Sequence, residues 1–157
     1  MTLYFEDFVL GSVAESDGRT ITESDLTAFT ALSGDTTRLH TDEQYAAKSD
    51  FGRRIAHGAL IFSISTGLMV QMNPENDALL AFSGVDKMRF VRPVFIGDTL
   101  RVRKKVFKAE PHDQERGLVT FETTVVNQQD QAVLLYLDRV LFRRRPPENE
   151  TGRPAQA

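Results

Sequence analysis

Near the N-terminus, apolar and polar residues follow one another at helical spacing. Thr22 and Asp25 have the spacing of a capping box, in which a hydroxyl and a carboxylate close the first turn of a helix. Apolar residues then recur three positions apart, at Leu26, Phe29 and Leu32. The pattern predicts a helix of about three turns that ends near Gly34.

A polar segment follows this helix. Gly34 opens a predicted loop through His40, and Thr41 or Asp42 can cap a second short helix around Tyr45. The loop therefore carries Asp35 and His40 on one connecting segment.

The most apolar stretch runs from Ala59 to Met72. It is shorter than the roughly 20 residues that a membrane-spanning helix needs, and it contains several small polar residues. Because it is apolar on nearly every side, the pattern predicts a helix that other structure encloses.

Four stretches with strand-like alternation follow the apolar helix. They are predicted at Leu79–Met88, Thr99–Lys108, Leu118–Asn127 and Val133–Phe142. Short polar segments separate them, which favours antiparallel pairing. Helices followed by a run of strands indicate an α+β fold in which one antiparallel sheet wraps one central helix, the hotdog fold.

The composition narrows the class of protein. A chain of 157 residues with 41% hydrophobic residues fits one domain, which we predict at residues 1–142, with a disordered tail at residues 143–157. The net charge of -3 argues against a nucleic-acid binder, and the absence of cysteine excludes disulfides and thiolate sites. The first ten residues lack the pattern of a signal peptide, so we expect a cytoplasmic protein that does not bind membranes.

Asp35 and His40 are candidates for acid/base chemistry. A carboxylate and an imidazole that face one water can remove a proton from it and later return one. The spacing of the pair is equally compatible with a structural role, in which Asp35 caps the loop after Gly34 and His40 packs against the next helix. His112 lies in a polar loop and is expected at the surface.

His57 and Gly58 stand directly before the apolar helix. The first amides of a helix have no partner inside it, so they can hold a developing oxyanion where glycine permits close approach. Gly58 could also simply permit a tight turn. A metal site formed by His40 and His57 with Asp35 or Asp42 is rejected at this point, because no metal-binding spacing places two ligands on one face.

Several motifs in order resemble the MaoC-like dehydratases, which include the R-specific enoyl-CoA hydratases. They are the segments Phe29–His40, Gly52–Gly58 and Phe90–Leu100, and the likeness covers most of residues 5–142. The resemblance implies that Asp35 and His40 activate water for addition to a trans-2-enoyl thioester of coenzyme A. It also implies that the Gly58 amide polarises the thioester carbonyl.

The resemblance further implies a hydroxyl on the central helix that helps to position the catalytic groups, which Thr66 matches by offset with Ser65 as its neighbour. We expect His57 to contact the substrate, no cofactor to be required, and the chain to form a homodimer or a dimer of dimers. The phosphates of coenzyme A need cationic partners, for which the candidates are Arg53, Arg54, Lys87, Arg89 and Arg92.

One departure from the family pattern lies between the two candidate catalytic residues. Thr37 and Arg38 stand where the family usually has asparagine and proline. Proline would have fixed the backbone, and asparagine would have offered an amide. Arg38 could instead meet a carboxylate on the acyl group, which would indicate a dicarboxylic or branched substrate.

Three functions remain open from the sequence. The first is reversible hydration of an enoyl-CoA. The second is a hotdog thioesterase that directs water at the thioester carbonyl. The third is a non-catalytic subunit that binds acyl-CoA or a partner protein, which the altered Thr37 and Arg38 suggest.

Overall fold

The computed structural model describes residues 1–73 and 76–147. After a short 3-10 helix at Phe5–Asp7, the helices are α1 (Glu23–Ser33), α2 (Arg38–Thr41), α3 (Glu43–Ala46) and α4 (Gly58–Gln71). The strands are β1 (Val13–Glu15), β2 (Arg19–Thr20), β3 (Leu79–Phe90), β4 (Thr99–Pro111), β5 (Arg116–Val126) and β6 (Ala132–Arg143). In the described ranges no helix is long and apolar enough to cross a membrane.

The strands form one antiparallel sheet in the order β1-β4-β5-β6-β3, and β2 also pairs with β4. Side chains alternate between the two faces of a strand, and the inward positions of β4, β5 and β6 are mostly buried. Leu60, Ile61 and Leu68 of α4 join these inward residues in the main core cluster. The α+β arrangement of an antiparallel sheet around a central helix is thus confirmed.

The capping residues predicted for α1 are present. The Thr22 side chain accepts a hydrogen bond from the Asp25 amide, and the Asp25 carboxylate accepts one from the Thr22 amide. Gly34 ends the helix at φ 74°, a left-handed conformation that glycine adopts without strain.

The segment after α1 differs from the prediction. A one-turn helix, α2, already contains His40, so only Asp35 lies in the loop. Asp42 then caps α3 by accepting a hydrogen bond from the Tyr45 amide at 2.9 Å. Elements of four residues are too short to give a clear helical period, which is why the sequence pattern did not separate them.

Both ends of the chain add structure that the pattern did not predict. β1 and β2 are only three and two residues long, too short for alternation to be recognised. β6 extends to Arg143, and Arg144 and Arg145 form ion pairs with Glu6 and Asp7 of the N-terminal segment. The rest of the predicted disordered tail, residues 148–157, lies outside the described residues.

Candidate active site

The N-terminus of α4 borders a cavity of about 430 Å³. His40 and Gly58 line it, together with mostly apolar side chains that include Phe90. His57 is the residue before the helix, and its side chain makes no capping hydrogen bond. The first amides of α4 are therefore available to a ligand, since they have no partner within the helix. A Cβ at position 58 would meet the outer edge of the Phe90 ring at 3.0 Å, so a larger residue there would require this ring to shift.

His40 reaches this cavity from α2. Its Nδ1 lies 2.7 Å from the carbonyl oxygen of Ile55. Because a carbonyl only accepts, Nδ1 carries the proton and Nε2 of the neutral ring has a free lone pair. The backbone of the Ile55 segment thus orients His40 as a base.

Asp35 is an exposed carboxylate whose position is set by its own loop. Its Oδ1 accepts hydrogen bonds from the Thr37 hydroxyl at 2.6 Å and from the Thr37 amide at 3.1 Å. These two bonds hold the pKa of Asp35 below its ordinary value, with a further contribution from the nearby histidines. Asp35 is therefore ionised at neutral pH.

His57 is buried, with 1% of its surface exposed. Its Nε2 lies 3.1 Å from the main-chain carbonyl oxygen of Asp35 and 3.4 Å from the Thr30 hydroxyl, so Nε2 carries the proton. Its ring also stacks on that of His40, with centroids 3.9 Å apart. Burial lowers the pKa of His57, which keeps the ring neutral. This placement does not fit the predicted substrate contact, because the ring lies behind Asp35 and His40 and supports both.

The three side chains form one cluster. An oxygen of Asp35 and one ring nitrogen each of His40 and His57 all lie within 4.8 Å of one another. A single water can bridge two such atoms, since each hydrogen bond spans about 2.7 to 3.0 Å. The spacing argument against a metal at these residues therefore no longer applies, because the fold brings together ligands that the sequence keeps apart. Hydrogen bonds already orient both imidazoles and the Asp35 carboxylate.

Comparisons with known proteins identify the family of this chain. The profile described as MaoC like domain matches residues 8–128, which is more than half of the chain. The chain belongs to the MaoC-like dehydratase family. It is similar to the (R)-specific enoyl-CoA hydratase of Rhodospirillum rubrum, at 37% identity over 121 residues that cover 77% of this chain and 79% of the relative.

Three further proteins show how far the similarity extends. The protein MaoC of Klebsiella aerogenes is 39% identical over 100 residues, or 64% of this chain, and the match spans only 29% of that longer protein. The R-hydratase PhaJ1 of Pseudomonas aeruginosa superimposes with a TM-score of 0.77 at 28% identity, covering 99% of this chain and 97% of that one. A Mycobacterium tuberculosis protein with a double hotdog fold superimposes at a TM-score of 0.81 and 23% identity, covering 96% of this chain and 47% of that one. The fold is accordingly the predicted hotdog.

The contacts of Thr37 and Arg38 show what these two residues do in place of the usual asparagine and proline of the MaoC-like motif. Thr37 stands where the family usually has asparagine, and it holds the Asp35 carboxylate with two hydrogen bonds. Arg38 stands in place of proline, and it pairs with Asp42 at 2.8 Å and lies over the Tyr45 ring at 4.3 Å. Thr37 thus supplies the polar contact that the loop needs, while the exposed Arg38 is engaged away from Asp35.

The two hydroxyl candidates on the central helix of this MaoC-like domain differ in placement. Ser65 is fully buried, and its Oγ lies 2.8 Å from the Tyr136 hydroxyl. It is therefore a core residue, and its part in positioning the catalytic groups stays a prediction. Thr66 donates to the Ser63 carbonyl at 2.7 Å and borders a second cavity.

The arginines predicted to meet coenzyme A differ in whether their charge is already paired with carboxylates. Arg54 is bound by Glu23 and Glu43, both at 2.6 Å, so it ties α1 to α3 and has no spare charge for a phosphate. Arg89 is exposed near the end of β3. Arg92, which lines the small cavity and donates to the Ala132 carbonyl, is the better placed cation.

The second cavity was not predicted from the sequence. It has a volume of about 780 Å³ and lies between α4, the sheet and the N-terminal segment. Lys104 and Asp138, joined by an ion pair of 2.8 Å, line its otherwise mostly apolar wall. The available signal was a charge at an inward position of β4 and another on β6, where the alternation demands apolar residues.

Proposed function

We propose that this protein catalyses the reversible addition of water to a trans-2-enoyl thioester of coenzyme A. One observation carries the proposal: an ionised carboxylate and an oriented imidazole lie within the span of one bridging water, beside the free amides of a helix N-terminus. Addition of water to an enoyl thioester needs a base, a proton source for the α-carbon and a donor for the enolate-like oxygen.

In this proposal, three residues take these three roles. His40 takes a proton from a water that the Asp35 carboxylate orients, and the hydroxide adds to the β-carbon. Electrons move from the carbon–carbon double bond toward the thioester oxygen, which the Gly58 amide stabilises. The His40 imidazolium then returns its proton to the α-carbon, so that one water has been added and the ring is neutral again.

Two arginines hold coenzyme A in this proposal. Arg92, which lines the small cavity, and the exposed Arg89 on β3 meet its phosphates. The reaction needs no redox step and no electron carrier, so the proposed chemistry requires no cofactor.

We also propose a homodimer. β3 is the last strand in the sheet order, and Phe82 and Phe90 on it are 46% and 52% exposed. One stripe of α4, formed by Ala59, Ser63, Gly67 and Val70, is also exposed within the chain. Pairing of two β3 edges would continue the sheet and cover both features. Light scattering of the purified protein tests this, and a monomer at micromolar concentration would contradict it.

The proposed reaction is tested with crotonyl-CoA and longer trans-2-enoyl thioesters. Loss of the enoyl absorbance without release of free thiol is the expected result. Release of free thiol at the same rate would instead identify a thioesterase. Neither signal from any thioester would contradict catalysis and favour the binding subunit.

The same assay with EDTA tests the role of the Asp35 cluster. Activity is expected to be unchanged after dialysis against the chelator, because His40 and Asp35 act on water directly. Loss of activity that zinc or another divalent ion restores would assign the cluster to a metal and overturn the acid/base mechanism.

A further inference from the structure

The charged pair in the second cavity stands out against the surfaces around it. On β4, the inward residues Leu100, Val102 and Val106 are apolar and buried, and Lys104 interrupts this series. On β6 the inward residue Asp138 is fully buried between Tyr136 and Val140. The sheet therefore places two charges where its own packing calls for apolar side chains.

The pair is well held and electrically balanced. Asp138 accepts a hydrogen bond from Lys104 through one oxygen and from Thr123 of the intervening strand through the other. The Lys104 ammonium also lies 3.8 Å from the centre of the Phe121 ring. Burying two charges costs about as much as their attraction returns, so such a pair is weak evidence for a role in stability.

Lys104 retains hydrogen-bonding capacity toward the cavity. An ammonium has three donors, and within the described part of the chain its one hydrogen bond goes to Asp138. Its side chain is 13% exposed, whereas that of Asp138 is 0% exposed, so Lys104 is the member of the pair that a ligand can touch. A ligand that brings an acceptor oxygen would complete the coordination of the ammonium.

The cavity lies along the same helix as the candidate active site. Phe62, Thr66 and Met69 of α4 line it, at four, eight and eleven positions after Gly58 and therefore on the same face of the helix. With a rise of 1.5 Å per residue, Thr66 lies about 12 Å along the axis from Gly58. In the proposed complex, an acyl chain whose thioester is held at Gly58 follows this face of α4 toward the cavity.

We propose that the cavity binds an acyl tail that carries a neutral oxygen, such as a hydroxyl group, and that Lys104 donates a hydrogen bond to it. This inference names the substrate class and rests on the proposed function. A carboxylate is disfavoured at this position, because Asp138 already neutralises the ammonium and a second anion would be buried without a counter-charge.

Binding of saturated acyl-CoA thioesters tests the inference without requiring turnover. Calorimetry compares methyl-ended, hydroxylated and carboxylated tails from hexanoyl to decanoyl length. At one length the hydroxylated tail is expected to bind about tenfold or more tightly than the methyl-ended tail. A methyl-ended tail that binds as well at every length would overturn the inference, as would a carboxylated tail that binds most tightly.

Variants test whether the Lys104–Asp138 pair causes the preference for a hydroxylated tail. The double variant Lys104→Met with Asp138→Leu removes both charges, leaves neither unpaired, and should abolish the preference for the hydroxyl while tightening the methyl-ended tail. Lys105→Met changes an exposed lysine on the opposite face of β4 and should leave the preference intact. A preference that survives in a folded double variant contradicts the assignment to Lys104.

The two proposals can fail separately. The same proteins are assayed with trans-2-enoyl thioesters, so hydration is measured independently of tail binding. Preferential binding of the hydroxylated tail without hydration would overturn the proposed function and support this inference. Hydration without any preference for an oxygenated tail would overturn this inference alone.

Discussion

The two cavities along α4 differ in whether their polar groups are already paired. At the N-terminus of the helix, polar groups keep unused hydrogen-bonding capacity among the described residues: the His40 ring has a free nitrogen, the Asp35 carboxylate is exposed, and His57 does not cap the first amides. In the larger cavity, Lys104 and Asp138 neutralise each other within an apolar wall. The small cavity is therefore suited to catalysis and the large cavity to selecting the acyl tail. Each substitution below is expected to affect one cavity more than the other.

The largest effect is expected from His40→Ala. Without the base at the small cavity, hydration should fall by about 10² to 10⁴-fold, while binding of a saturated thioester changes little because the tail cavity is intact. His112→Ala removes a histidine of the β4–β5 loop and serves as the control. Near-normal turnover in His40→Ala would rule out the proposed mechanism.

A second large effect is expected from Gly58→Ala. The new methyl group would meet the Phe90 ring at 3.0 Å, which displaces the oxyanion donor or the ring. Loss of one such donor typically costs about 10² to 10³ in turnover. The double variant Gly58→Ala with Phe90→Ala should recover part of the rate if the cause is steric. No recovery, with Phe90→Ala itself fully active, would contradict the steric explanation.

A change at the rim of the large cavity should affect chain length and not chemistry. Val70 is 58% exposed within one chain and lines that cavity, so Val70→Phe narrows it without overpacking the core, and light scattering checks that the proposed dimer is retained. The specificity constant for long enoyl chains is expected to fall about tenfold, while that for crotonyl-CoA stays the same. Val9→Phe enlarges an exposed residue elsewhere and is the control. Equal losses for short and long chains would show that the two cavities do not divide the substrate.

The smallest effect is a shift in pH dependence for Thr37→Val. The Thr37 hydroxyl lowers the pKa of Asp35, so its removal should raise that pKa toward the ordinary value. Asp35 is then protonated at a higher pH, which an NMR titration of its carboxyl carbon measures, while the hydration rate above neutrality is nearly unchanged. Thr37→Ser keeps the hydroxyl and should keep the wild-type titration of Asp35. An unshifted Asp35 titration in Thr37→Val would contradict the role given to the Thr37 hydroxyl.

The structural features predicted well from the sequence were those that depend on a local pattern of residues. The capping box at Thr22, the glycine end of α1 and the four long strands depend on neighbours in the chain, and all are present. The role of His57 could not be predicted in this way. Its contacts reach Thr30 and Asp35, which are 27 and 22 residues away, so only the folded chain decides that it is buried behind the site.

The sequence by itself determined the order of α1, α4 and the four long strands, the hotdog arrangement, and Asp35, His40 and Gly58 as candidates, because periodicity and local motifs record which faces are buried. The tertiary structure alone decided that His57 lies against Asp35 and His40, that Arg54 and Ser65 are structural, and that Lys104 meets Asp138 across β5. These are contacts between side chains far apart in sequence. Their partners are set by the packing of the sheet around α4, which no local pattern encodes.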